Sequence, residues 1–285
     1  DVYKRQRGRE RSLNHEQVIQ IAKDLCDKGH TEIVLTGIHT GRYDDGEYDL
    51  AKLMKALLEN TPDSVYYRIS SIEITEVSDA LIALMKENSR MCHHLHIPVQ
   101  SACNETLKRM NRPYTIEEFK EKINYIRSCI PDISISTDVI AGFVQESDEE
   151  FETTYENLAD LELSFFHVFP YSKRNGTKAS TLKGEINGKV AKARVARLLE
   201  LSNACRERDM KRFNPVQVLI ERKQDGYYTG YTNQYHSCKI LSDTPLSGRI
   251  TIEWDRIEDG TYYGKKDVVS VSYTHLRAHE TSAHL

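Results

Sequence analysis

CHHLHIPVQSACNETLKRMNRPYT, residues 92–115, holds in one short run the unit from which most of the chain is built. His94, Leu95, His96 and Ile97 alternate as in a strand, and Pro98, with no N–H to donate, stops it. Residues 99–103 then read as a turn. From Asn104 a short helix sets Thr106, Leu107 and Met110 on neighbouring faces, and Pro113 forbids its simple continuation. A strand ending in polar side chains (His96, Gln100, Ser101) just before a helix is where α/β barrels place their chemistry.

Working outward, the same unit recurs. Residues 32–36 (EIVLT), 66–70, 133–140 and 165–169 read as strands, each flanked by an amphipathic helix. Asn14 with Gln17, Thr115 with Glu118 and Ser147 with Glu150 are expected capping boxes, and Gly29 ends the first helix. Leu50, Leu53, Met54, Leu57 and Leu58 form a core-facing stripe. Burying those side chains is worth on the order of 10 kcal/mol before chain entropy is subtracted. Connections this long between strands imply right-handed crossovers and a parallel sheet. A closed eight-stranded barrel needs more strands than these five, so the expected class is α/β, a partial parallel (β/α) barrel with its first strand missing.

Residues 189–212 form a basic helix, after which the pattern changes. Beyond Pro215, short runs at 216–220, 227–231, 237–241 and 249–254, with turns at Asp225-Gly226 and Gly248, predict a small antiparallel β-barrel or sandwich. The expected division is a barrel part over 7–212 and a β domain over 213–269.

At 285 residues the chain exceeds one average domain, which suits a barrel with an appendage. With 39% hydrophobic and 29% charged residues it has the composition of a globular protein, and no apolar run approaches the ~18 residues of a membrane span. Cys26, Cys92, Cys103, Cys129, Cys205 and Cys238 are scattered without CxxC spacing. They read as reduced thiols of a cytoplasmic protein with no membrane partner and no signal peptide. DVYKRQ (1–6) and SVSYTHLRAHETSAHL (270–285) resemble translated sequencing-adapter read-through. The tail holds His275, His279 and His284, so both ends are set aside from functional reading.

Seven motifs occur in order: RGRERS, EIVLTGIHTGRY, RISSIE, HLHIPVQS, LKRMNRPYT, TDVIAGF and HVFPYSKRNGT. In this series the chain resembles the radical-SAM methylthiotransferases of tRNA over roughly residues 7–241. TGIH and HVFPYSKR are most similar to the branch acting on threonylcarbamoyladenosine beside the anticodon. The resemblance implies S-adenosylmethionine and two [4Fe-4S] clusters in the intact enzyme, with tRNA, an electron donor and a sulfur source as partners. The activity it implies is addition of a methylthio group to C2 of the modified adenosine. It also identifies the last β region as similar to a TRAM domain, a small RNA-binding barrel. In the family a CxxxCxxC loop precedes RGRERS, whereas DVYKRQ stands there in this chain. The expectation is therefore a fragment without the auxiliary-cluster domain or the cluster loop. It would ligate no cluster, contain no catalytic residue of its own and be inactive alone.

The same resemblance assigns cofactor contacts to Gly37, Glu73, Gln100, Asp138, Gly142, Phe169 and Tyr171. Gly37 serves equally as a turn glycine, and Phe169 as core. Glu73 is expected near the cofactor ribose, where a carboxylate accepts two hydroxyls. After Gly142-Phe143 the family continues Pro-Gly-Glu-Thr, whereas Val144, Gln145, Glu146 and Ser147 follow in this chain, which leaves the loop shape open. Lys173, Arg174 and Lys178, with the basic helix, form the expected phosphate-facing surface, and Tyr231 is a stacking ring. Two rival readings remain. One is an RNA-binding remnant without catalysis. The other is a barrel metallohydrolase holding a metal on the His94–His96 pair with His167 and Asp138, although the family resemblance implies no metal ligand in this chain.

Overall fold

The computed structural model describes residues 11–266, so the readings attached to 1–6 and 270–285 lie outside the described residues. Asn14 accepts a hydrogen bond from the Glu16 amide and starts α1 (His15–Asp27), without the box expected through Gln17. Gly29, at φ +84°, turns the chain after it.

Five strands follow: β1 (Glu32–Leu35), β2 (Tyr66–Ile69), β3 (His94–His96), β4 (Ser134–Ala141) and β5 (Phe165–Pro170). Parallel ladders join β1 to β2, β3 to β4 and β4 to β5. Bridges at Tyr67–Met91 and Ser71–His96 link β2 to β3. The spatial order is thus the chain order, as expected of an open parallel half-barrel. Helices α2 (Leu50–Asn60), α3 (Asp79–Glu87), α4 (Asn104–Arg109), α5 (Ile116–Cys129) and α6 (Asp148–Asp160) make the crossovers. The Leu50–Leu58 stripe is buried, and the capping boxes at Thr115–Glu118 and Ser147–Glu150 both form.

The two edges of the sheet differ. Strand β1 is only half-buried, with Val34 47% exposed, because it pairs on one side alone among the described residues. At the other edge, α7 (Gly188–Met210) covers β5. Its Ser202 hydroxyl accepts from the Phe166 amide (2.9 Å) and donates to the Phe166 carbonyl (2.7 Å), which closes that edge to further pairing.

The β domain has more strands than the four runs expected: β6 (Val216–Gln224), β7 (Tyr227–Thr232), β8 (Ser237–Leu241), β9 (Gly248–Ile252), β10 (Trp254–Glu258) and β11 (Thr261–Lys265). Their order is β10-β11-β8-β7-β6-β9, and β11 lies parallel to β8, so the sheet is not wholly antiparallel. Strands β9 and β10 are one run broken at Glu253, so the two ends of the sheet meet and it curls into a small barrel. Val218, Ile240, Tyr262 and Met210 fill its core.

Candidate active site on the inner wall of the half-barrel

Strand alternation sends one set of side chains to the helices and the other inward. The inward set is polar and aromatic: His94 and His96 on β3, Ser136 and Asp138 on β4, Phe165, His167 and Phe169 on β5. Ser136 Oγ stands 2.9 Å from both His94 Nε2 and His96 Nδ1. His96 Nε2 in turn faces Asp138 Oδ2 at 3.3 Å. Asp138 is the register partner of His167, whose ring lies 5.9 Å from that of His96. Burial, aided by the charges of Arg68, His96, His236 and His167, holds His94 well below the ordinary histidine range, so it is neutral. His167 is lowered too, by burial first, with Asp138 opposing and His96 and Arg206 adding.

The lower end of this wall is closed by the β domain. Arg68 on β2 donates to the carbonyls of Thr232 (3.1 Å) and Asn233 (3.0 Å) and to Glu32 of β1 (2.8 Å). Glu32 also receives Arg249 of β9 at 2.6 Å, and Arg249 bonds Asn233. Burial alone would raise the Glu32 pKa, but the two guanidinium groups outweigh it and the net shift is downward. Tyr235 stacks on His94 (5.0 Å) and on Tyr231 (4.9 Å), and the Arg68 guanidinium lies 5.0 Å from its ring centre. The loop at 232–236 is therefore the floor of the hollow. Arg68 was legible as a charged residue inside the strand run YYRI, whereas its partners, far away in sequence, were not.

The expected cofactor residues fall in several places around the rim. Glu73 takes Arg112 on Oε2 at 2.6 Å, and Arg112 also donates to the Pro98 carbonyl. Gln100, at φ +69°, exchanges backbone hydrogen bonds with β4, its amide donating to the Asp138 carbonyl (2.9 Å) and its carbonyl accepting from the Ile140 amide (2.8 Å). Gly37 borders a separate, largely apolar groove of about 510 Å³ between α1 and β1, lined also by Leu13, Ile21, Val34 and Ile38. Gly142 has φ +73°, and an added Cβ would lie 2.9 Å from Ala191, so the close approach that needs glycine is to α7. Phe169 is 49% exposed, 6.4 Å from the His167 ring. Tyr171 packs edge-on against Phe143 and leaves a buried hydroxyl without a partner.

The loop where the family's Pro-Gly is missing keeps a left-handed residue: Gln145 has φ +65°. Its amide bonds the Gly184 carbonyl and its side chain the Lys183 carbonyl, both at 2.8 Å. Buried Glu146 accepts from the Gly142 amide (2.8 Å) and from Arg194 (2.7 Å), and burial raises its pKa against those bonds.

Four of the eight Lys and Arg residues of the 189–212 stretch are ion-paired within the fold, which leaves the others for a phosphate-facing surface. Arg194 pairs with Glu146 and Asp148, Arg197 with Glu152, Lys211 with Glu207, and Arg212 with Asp209. Lys173, Arg174 and Lys178 are exposed in the loop after β5, with Lys173 on Glu185 at 2.8 Å. Tyr231 lies at the opposite end of the strands, beside the floor. The metal reading is corrected in its membership. Ligand atoms of His96, Asp138 and His167 lie within 4.8 Å of one another, whereas His94 points its Nε2 to Ser136.

A family model described as the Radical SAM superfamily matches residues 1–158. The chain belongs to that superfamily. Among its relatives, the threonylcarbamoyladenosine tRNA methylthiotransferase of Bacillus subtilis is 35% identical over 282 residues, covering 96% of this chain and 62% of the relative. The enzyme of the same name from Thermotoga maritima is 39% identical over 216 residues, covering 74% and 50%. The tRNA-2-methylthio-N(6)-dimethylallyladenosine synthase of Thermodesulfovibrio yellowstonii is 36% identical over 240 residues, covering 83% and 56%. This Radical SAM chain thus spans between 50% and 62% of the length of these relatives. Coproporphyrinogen III oxidase of Escherichia coli shares the fold at TM-score 0.50 and 17% identity, over 68% of this chain and 45% of that one. Methylornithine synthase does so at TM-score 0.50 and 14% identity, over 70% and 55%.

Proposed function

We propose that this chain carries the S-adenosylmethionine-facing half-barrel and the RNA-facing β domain of a cytoplasmic tRNA methylthiotransferase. Its activity would be addition of a methylthio group to C2 of N6-threonylcarbamoyladenosine next to the anticodon. The observation that carries this reading is the 282-residue similarity to the Bacillus subtilis enzyme, which runs through the half-barrel and the β domain alike. S-adenosylmethionine supplies a methyl group and, on one-electron reduction, a carbon radical. The residues at the C-terminal strand ends fit such a polar nucleoside. Thr40 Oγ1, Glu76 Oε2 and Tyr171 Oη, in the loops after β1, β2 and β5, are buried without hydrogen-bond partners. Glu73, with Arg112 on one oxygen only, would receive ribose hydroxyls. Gln100, Gly142, Phe169 and Tyr171 would flank the base.

A [4Fe-4S] cluster does not fit the described residues. All six cysteines are free, and no three of them converge. The described residues would hold no cluster, and an electron donor and a sulfur source would be partners in the proposed reaction. The metallohydrolase reading loses its HxH pair, because His94 is buried against Ser136 and Tyr235.

The test is binding of an anticodon stem-loop carrying the modified adenosine to the purified chain at 50 and 200 mM salt. Binding should weaken with salt, and reversing charge at Lys173, Arg174 and Lys178 together should reduce the log–log slope by about 2–3. Absence of a salt-dependent shift rejects the RNA-facing role. RNA binding with no saturable uptake of S-adenosylmethionine would favour an RNA-binding remnant instead.

A further inference from the structure

We propose that His96, Asp138 and His167 form a binding site for one divalent transition-metal ion on the inner wall of the half-barrel. The proposal stands on these residues alone and does not depend on the methylthiotransferase reading. Three neighbouring parallel strands each supply one ligand, and their donor atoms all lie within 4.8 Å of one another. A tetrahedral ion with metal–ligand distances of ~2.0–2.2 Å needs ligand atoms ~3.3–3.5 Å apart. His96 Nε2 and Asp138 Oδ2 already stand at 3.3 Å. His167 is exposed on β5 and has side-chain freedom to close the remaining gap. Two neutral imidazoles and one carboxylate give a donor set of charge −1, suited to a dication of the zinc or cobalt type rather than to magnesium, which prefers oxygen alone.

The outer contacts favour the same assignment. Ser136 Oγ holds His96 Nδ1 at 2.9 Å, which turns Nε2 towards Asp138 and into the hollow. One hydroxyl serves both histidines, so their tautomers are coupled. With a cation present, His96 Nδ1–H donates to Ser136, and the Ser136 hydroxyl donates to His94 Nε2. Without one, His96 gives its Nε2–H to Asp138 and takes the Ser136 proton at Nδ1. An ion held by three ligands of this wall keeps a position open towards the hollow, where a lone-pair donor of a bound substrate would reach it.

The probe is cobalt(II), titrated into the full chain after dialysis against chelator, with visible absorption as the readout. A variant with His275, His279 and His284 changed to alanine removes the histidine-rich tail as a competitor. In that background the expected result is one cobalt per chain with d–d absorption, displaced by zinc. His167→Gln and Asp138→Asn should each abolish it, and Ser136→Ala should weaken it about 10–100-fold. Because His167 is exposed, its variant keeps its circular dichroism, which separates loss of the site from loss of the fold. Cobalt binding that vanishes with the tail histidines, or that persists in His167→Gln and Asp138→Asn, overturns the proposal.

Discussion

Replacing Asp209 by alanine removes the carboxylate on which the half-barrel, α7 and the β domain meet. Asp209 is buried and accepts from Ser134 Oγ at 2.5 Å, His236 Nε2 at 2.8 Å and Arg212 Nη1 at 2.5 Å. Burial would raise its pKa, yet these donors outweigh it and the carboxyl is lowered and ionised. Arg212 is partly exposed and recovers water in the variant. Ser134 and His236 are buried and do not, and His236 Nδ1 already has no partner. Two stranded buried donors cost ~1–3 kcal/mol each, and breaking a buried pair by deleting one member costs ~3–5 kcal/mol, so a loss of about 3–5 kcal/mol is expected. Asp209→Asn retains an acceptor and should lose about 1–2 kcal/mol. The assay is urea unfolding followed by two probes: fluorescence of Trp254, the chain's only tryptophan and a β-domain residue, and far-ultraviolet circular dichroism, dominated by the half-barrel helices. In the parent chain the two transitions should coincide. In Asp209→Ala the Trp254 transition should move down by about 1–2 M urea and separate from the helical one. Coincident transitions shifted by less than about 0.3 M would refute the reasoning that this carboxylate locks the two parts together.

Further outcomes follow from single sites. Gln145→Gly relieves a left-handed residue worth ~1–2 kcal/mol and forfeits a hydrogen bond of ~1 kcal/mol, so its urea midpoint should stay close to the parent's. Gln145→Ala keeps the strain and loses the bond; equal destabilisation by both variants would contradict this account. Neutral His94 binds no proton in the folded state while the unfolded chain binds one below pH ~6.5, so stability should fall as pH drops from there, by at most ~1.4 kcal/mol per unit. His93, raised by Asp132 against burial, contributes in the opposite sense, so the comparison to make is the pH slope of urea midpoints in His94→Gln against the parent. A slope unchanged by that substitution would assign the effect elsewhere. Anaerobic reconstitution with iron and sulfide should give no stoichiometric [4Fe-4S] absorbance, because no three cysteines converge among the described residues; a reducible cluster would show that they do.

The amino-acid sequence by itself determined the local grammar of this protein. Five strand–helix units, the capping boxes at Thr115 and Ser147, the Leu50–Leu58 stripe and the change to short β runs after Pro215 all depend on spacings of a few residues, which periodicity and side-chain chemistry report directly. The left-handed turn at Gln145 stayed hidden because its support comes from residues 183–184 across the loop. The ion pairs of the basic helix stayed hidden because a count of charges does not reveal that Glu146, Asp148 and Glu152 sit opposite Arg194 and Arg197. Only the tertiary structure decided which histidines share a centre. His94 and His96 lie on one face of one strand and share the Ser136 hydroxyl, yet only His96 reaches Asp138, while β5 brings His167 from far along the chain. Likewise Arg68, Glu32 and Arg249 come from three separate segments and meet only when the β domain seats its 232–236 loop under the strands. Register between strands and docking between domains are set by the summed packing of many distant side chains, and no local window of sequence contains that sum.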